Sequence, residues 1–189
     1  MGAKYLTKAT DIAQSIMTHI IKKGNTSVDA TMGNGNDTLF LANLVGDDGK
    51  VYAFDIQSLA VHNTEKLLLE HNMAHRAALI EDGHENMDKY IKESIDAAMF
   101  NLGYLPKGDR NIITRSETTI MALKKCLDLL KQNGIITLCV YYGHEGGLKE
   151  KEQLSMFLET LDQKQYDVLE MKFMNQKNNP PNLIVIEKK

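Results

Sequence analysis

Two cysteines, three prolines and no apolar run of membrane-spanning length set the first limits on this 189-residue chain. The cysteines, Cys126 and Cys139, sit inside apolar segments and belong to no metal or redox spacing. They read as reduced core residues, which points to a cytoplasmic protein. Residues 1–10 carry Lys4 and Lys8 but no apolar core followed by a small-residue cleavage site, so a secretory signal is not expected. With neither a linker nor an internal repeat in view, residues 1–189 read as a single domain, 1–25 forming an N-terminal helical segment. An excess of positive charge is missing too. The net charge is −3, which argues against a broad electrostatic grip on nucleic acid and leaves room only for a local patch. Apolar residues at 43% and charged residues at 25% suit a soluble α/β domain with a sizeable core.

Short β-rich runs alternate with helical patterns. Residues 6–22 place Leu6, Ile12, Ile16 and Ile20 at helical spacing. Strands are expected at 26–30, 51–55, 77–80, 95–100 and 134–141, with helices at 38–45, 58–71, 85–93, 116–132 and 148–161. Ser58 is a natural N-cap, and Asn133-Gly134 a C-terminal stop. Alternation of this kind implies a mostly parallel sheet with helices on both faces. The last two strands, 166–174 and 182–187, are separated by a short turn too small for a crossover helix, so they should pair antiparallel.

The sharpest local signal is Val28-Asp29-Ala30-Thr31-Met32-Gly33-Asn34-Gly35-Asn36-Asp37-Thr38, between the first strand and the helix after it. Ligands of open α/β sheets sit beyond the carboxyl ends of the strands. Gly33 and Gly35 let the backbone turn and approach a ligand, and Asn34 and Asn36 offer amides. Asp55 follows Gly35 by twenty residues at the end of the second strand, where an acid can accept both ribose hydroxyls, with Gln57 beside it. A dinucleotide fingerprint would need glycine where Thr38 stands, and the G-K-[ST] of a P-loop is missing. Asp29 and Asp37 make the turn acidic, which repels a pyrophosphate and suits a ligand bearing a sulfonium and an ammonium. S-adenosylmethionine is therefore favoured over NAD. Asp82, Gly83 and His84 close the third strand on the adenine side.

The fourth strand ends in Phe100-Asn101-Leu102-Gly103-Tyr104, similar to the N-P-P-Y tetrapeptide of enzymes that methylate amino nitrogens of bases. Methyl transfer from a sulfonium is an in-line displacement, so the lone pair of the nucleophile must be aimed. Asn101 and the Leu102 carbonyl can accept from an amine, Gly103 allows close approach, and Tyr104 can stack on a planar base. Leu102 and Gly103 in place of two prolines point away from an aromatic exocyclic amine. Taken together, D-A-T-M-G-N-G-N-D-T, F-D-I-Q, D-G-H-E-N, F-N-L-G-Y-L-P-K-G-D, Y-Y-G-H-E-G-G, L-D-Q-K and N-Q-K-N-N-P-P resemble a bacterial family of tRNA 5-(aminomethyl)-2-thiouridine methyltransferases, formerly labelled rRNA methylases.

The resemblance implies a Rossmann-like class I methyltransferase fold with a seven-stranded sheet, S-adenosyl-L-methionine held by Asn34, Asn36, Asp55, Gln57 and His84, and S-adenosyl-L-homocysteine as product. It also implies methylation of the aminomethyl group of the wobble uridine, hence a partner in the anticodon region of tRNA. A primary aliphatic amine is mostly protonated near neutrality, and in the Tyr142-Gly143-His144 loop His144 is a candidate base or substrate contact and Tyr142 a candidate substrate contact. Lys107, Arg110 and Arg115, with Lys124 and Lys125 beyond them, form the best basic patch for an RNA backbone. His71 and His75 have helical i, i+4 spacing without a third ligand, so no metal is expected. Methylation of rRNA or of a small-molecule amine, an NAD-linked oxidoreductase and a non-catalytic nucleotide-binding regulator stay as alternatives. Both a monomer and a homodimer fit.

Overall fold

A computed structural model describes residues 7–103, 114–143 and 146–189. In chain order the elements are α1 (Ala9–Ile20), β1 (Thr26–Asp29), α2 (Asn36–Val45), β2 (Lys50–Asp55), α3 (Ser58–Glu70), β3 (Ala77–Glu81), β4 (Ile95–Leu102), α4 (Ser116–Leu129), β5 (Leu130–Val140), α5 (Gly147–Leu158), β6 (Tyr166–Met171) and β7 (Asn182–Lys188). The strands form one sheet in the order β3-β2-β1-β4-β5-β7-β6. Strands β1 to β5 run parallel, and β7 lies antiparallel between β5 and β6. The mostly parallel sheet with a terminal antiparallel hairpin is therefore present. Its strand order reverses between β1 and β4, the point where open sheets leave a crevice for ligands.

Period-two alternation divides the core between the two faces. On β5, Ile136, Leu138 and Val140 pack with α4 and α5 residues such as Leu123, Cys126 and Leu154. Ile135 and Cys139 point the other way, into a cluster with Ala13, Met17, Leu41 and Leu68 from α1, α2 and α3. The two cysteines thus lie on opposite faces, both free, and burial pushes both thiols well above their usual range. Strand β4 breaks the alternation once. A register shift between Ile95 and Ala97 puts Ile95 and Ala98 on the same face.

Four boundaries differ from expectation. Ser58 is the first helical residue of α3, not its cap; Gln57 precedes the helix without a side-chain capping bond. The segment expected as a helix at 85–93 is a short 3-10 turn, His84–Lys89. Helix α4 stops at Leu129, and Asn133, at φ 61°, lies inside the irregular start of β5 rather than ending the helix. Helix α3 stops at Glu70, so His71 and His75 share no helical face; His71 Nδ1 meets the Leu67 carbonyl and His75 Nε2 meets Asp47.

Met17 is fully buried where α1 meets the sheet, whereas Ser15 on the outer side is exposed. Met17→Ala should cost about 2–5 kcal/mol in urea unfolding, because a core cavity is left. Ser15→Ala should stay within roughly 0.5 kcal/mol. Equal small effects would mean that α1 is not docked.

Candidate active site at the β1–β4 switch point

The loop after β1 is built by glycine conformations and backbone hydrogen bonds. Gly33 (φ 52°) and Gly35 (φ 80°) occupy the left-handed region. A Cβ on Gly35 would come within 2.7 Å of Thr64 Oγ1 and 3.0 Å of Thr64 Cα, so the second glycine is also required by space. Asp55, at the end of β2, accepts from Gly33 N through Oδ2 and from Gln57 N through Oδ1, both at 2.9 Å. Each oxygen keeps lone pairs for a ligand's hydroxyls. Asn34 accepts from Asn63 Nδ2 at 3.2 Å.

Asp29 has a different place. It is buried beneath the loop, accepts from Thr38 Oγ1 (2.6 Å) and Thr31 N (3.1 Å), and is not among the residues that line the cavity. Burial, reinforced by the nearby Asp37 carboxylate, pushes its pKa up to about 7. Asp37, on the first turn of α2, does line the cavity. Its own pKa is raised by burial, against hydrogen bonds from Gln14 and Asn101 that favour the anion.

Beyond β3, Asp82 accepts from Gly83 N (2.7 Å), Asn86 Nδ2 (2.8 Å) and the Tyr90 hydroxyl (2.9 Å). His84 is buried against Phe100. Its Nδ1 lies 2.9 Å from the Ala30 carbonyl, a contact that requires Nδ1 to carry the proton. Burial lowers its pKa, so the ring is neutral near pH 7 and Nε2 is an acceptor. That nitrogen is buried and has no hydrogen-bond partner among the described residues.

Asn101 stands at the end of β4, next to β1 in the sheet. Its backbone N donates to Thr31 Oγ1 at 2.7 Å, and its Nδ2 donates to Asp37 Oδ2 at 3.5 Å. Leu102 is buried in the core, and its carbonyl already accepts from Tyr141 N at 3.4 Å. Thr114 N donates to Gly103 O at 3.0 Å. The open cavity between these elements measures about 600 Å³. It is lined by Gly33, Asn34, Asn36, Asp37, Asp55, Gln57, Asp82, Gly83, His84, Asn101, Leu102, Gly103 and Arg115 among the expected residues.

A family model described as "Putative rRNA methylase" matches residues 51–187. The chain belongs to this family. A chloroplastic tRNA (mnm(5)s(2)U34)-methyltransferase of Arabidopsis thaliana is 42% identical over 160 residues, covering 79% of this chain. The match spans 58% of that longer relative. An rRNA-methylase structure from Clostridium thermocellum superimposes with a TM-score of 0.96 at 50% identity, covering all of both chains. A methyltransferase from Streptococcus mutans, solved in complex with S-adenosylhomocysteine, gives 0.90 at 41% identity over 97% of this chain and 99% of that one. The Rossmann-like class I methyltransferase fold follows from these likenesses together with the strand order.

Some expected positions fall elsewhere. Tyr104, Lys107, Arg110 and His144 lie outside the described residues. Tyr142 does not line the cavity; Lys151 of α5 sits 4.4 Å over its ring. Tyr141 lines it instead. The signal was the alternation of β5, because position 141 continues the side of Ile135 and Cys139. Lys125 pairs with Asp88 at 2.7 Å and Lys124 lies over Phe157, so neither extends a patch from Arg115. Thr31, Thr114 and Thr118 also line the cavity. Gln14 of α1 was not foreseen at all. It reaches Asp37 at 2.8 Å, and only the packing of α1 brings it there.

The raised pKa of Asp29 has a definite sign. Folded protein retains a proton, between about pH 4 and about 7, that the unfolded chain releases, so the Asp29 contribution to stability falls as pH rises through that window. His84 acts oppositely, since burial lowers its pKa and favours folding as its unfolded form loses its proton. Asp29→Asn removes the first contribution, relieves the repulsion on Asp37 and leaves His84 in place. The stability of the variant relative to wild type should therefore increase between about pH 4 and about 7, measured by urea unfolding. A flat difference would place Asp29 ionised throughout.

Proposed function

We propose that the protein is an S-adenosylmethionine-dependent methyltransferase, acting in the cytosol, that converts 5-aminomethyl-(2-thio)uridine at the wobble position of tRNA to its 5-methylaminomethyl form. The observation that carries this reading is the juxtaposition of Asn101 with the Asp55–glycine-loop site in one cavity. A nucleoside-sized site and an amide suited to aiming an amine meet at the switch point.

The residues fit the cofactor. Asp55 retains lone pairs for ribose hydroxyls, the Gly33–Gly35 turn brings backbone close, and the orphaned Nε2 of His84 offers a buried acceptor. Asn34, Asn36 and Gln57 add amides to the cavity lining, which Asp82 and Gly83 share and where they are suited to contact the adenine. Asp37 supplies negative charge that suits a cationic ligand, with Asp29 adding to that field when ionised. When bound, S-adenosylmethionine supplies a methyl group on a positively charged sulfur. Asn101 Oδ1 accepts an N–H of the substrate amine and thereby orients its lone pair. A neutral amide is a poor base, so the proton of the ammonium form leaves before transfer by another route, with His144 the sequence-based candidate. The same acidic field opposes NAD, whose pyrophosphate would be repelled. Arg115, exposed at the cavity edge, is suited to a phosphate of the RNA; from the sequence, Lys107 and Arg110 are proposed as further phosphate contacts and Tyr104 as a base contact.

Purified protein with S-adenosylmethionine should methylate tRNA that carries 5-aminomethyl-2-thiouridine and leave tRNA with an unmodified wobble uridine untouched, read by nucleoside mass spectrometry. Equal methylation of both would exclude the aminomethyl nitrogen as acceptor, and methylation of rRNA alone would redirect the assignment.

Calorimetry should show binding of S-adenosylhomocysteine and none of NAD. Asp55→Ala should weaken S-adenosylhomocysteine by about 1.5–3 kcal/mol, the range for hydrogen bonds to a charged group. Unchanged affinity would remove Asp55 from the cofactor site.

A further inference from the structure

We infer that Asp37 and Gln14 are positioning residues for Asn101: Asp37 turns the Asn101 amide so that its carbonyl oxygen faces the cavity, and Gln14 holds Asp37 in place. The inference rests on the proposed amine methylation and deepens it.

Three elements meet in this chain of contacts. Gln14 Nε2, from α1, donates to Asp37 Oδ1 at 2.8 Å. Asn101 Nδ2, from β4, donates to Asp37 Oδ2 at 3.5 Å. Asp37 itself lies in the first turn of α2, whose N-terminus favours the anion. An ionised carboxylate can only accept, so only the NH2 end of the Asn101 amide can face it. The carbonyl end must then point away from Asp37. The main chain of Asn101 is fixed independently by its bond to Thr31 Oγ1. With backbone and amide both held, the acceptor is oriented before any substrate arrives, which spares the entropy of orienting it later.

Gln14 supports this arrangement from outside. It is half-buried on a helix packed against β4, β5 and β7, and it does not line the cavity. Its amide occupies the carboxylate oxygen that Asn101 does not use and limits rotation of the Asp37 side chain. An acceptor presented this way selects a nucleophile that carries N–H. A thiocarbonyl sulfur or a carbonyl oxygen offers only lone pairs and would meet another lone pair. The same uridine carries both kinds of group, so the amide orientation favours nitrogen over sulfur.

Gln14→Leu removes the donor to Asp37, whereas Gln14→Lys restores one. Two measurements on the full chain test the inference. In the S-adenosylhomocysteine complex, the Asn101 side-chain amide should give two dispersed 15N–1H resonances in wild type and Gln14→Lys. In Gln14→Leu these should move towards the values of a free asparagine amide. Single-turnover methylation of aminomethyl-bearing tRNA should be slowed about tenfold in Gln14→Leu, as for a misplaced reactive group, and recover in Gln14→Lys, with S-adenosylhomocysteine affinity unchanged in both. Unmoved Asn101 resonances in Gln14→Leu would overturn the inference, as would a Lys variant as slow as the Leu variant. Wild-type protein inactive on this tRNA would overturn the proposed function instead, and the resonances would still decide the positioning role.

Discussion

A buried carboxyl beneath the first loop connects the parts of the cavity. Asp29 accepts the backbone N of Thr31 and the hydroxyl of Thr38, which fastens the loop to the first turn of α2. The Thr31 hydroxyl in turn receives the backbone N of Asn101, and the Ala30 carbonyl meets His84. Ala30 N completes the join by donating to the Met99 carbonyl of β4. Three strand ends, those of β1, β3 and β4, are thus tied to one loop through short, buried or part-buried polar contacts. Such contacts are costly to leave unmade, so loop, β4 and the segment after β3 hold one mutual arrangement.

That construction has an electrostatic consequence. Burying Asp29 near Asp37 leaves two carboxyl groups competing for ionisation, and both are shifted upwards. A cation entering the cavity lowers the cost of ionising them, and an anion raises it. The site therefore discriminates ligands by charge before any specific hydrogen bond forms. A polyanion such as the proposed RNA substrate would be repelled by the acidic floor and is better met at the rim, where Arg115 stands. The proposed RNA contact is compatible with a net charge of −3 because it needs only local positive charge, which Arg115 supplies apart from the acidic interior.

Much of this was readable along the chain because the signals are local. The glycine turn with Asp55 at the right spacing, the Asn at the end of the fourth strand and the final antiparallel pair each depend on residues close in sequence. The misreadings have physical causes. Ser58 has the chemistry of a cap, but the chain enters α3 one residue earlier. Asn133-Gly134 does adopt a left-handed residue, yet at a strand irregularity, since a positive φ marks a sharp turn without saying which element it serves. Asp29 was grouped with Asp37 as ligand-facing because both are acidic, and only burial separates them. Tyr142 was preferred to Tyr141 although the period-two pattern of β5 already assigned them to opposite sides.

The sequence by itself determined the class of the fold and the chemistry available to the site. Alternating periodicities dictate a doubly covered parallel sheet, and the residue types in the loops after strands one, two and four limit what can bind there. Tertiary structure alone decided which of those groups face each other. Gln14 lies on a helix with no motif, yet α1 packs against the sheet by burying Ala13 and Met17, and that apolar contact sets Gln14 against Asp37. The orientation of the Asn101 amide and the orphaned Nε2 of His84 are likewise products of packing, because hydrogen-bond partners distant in sequence become neighbours only when the apolar faces close.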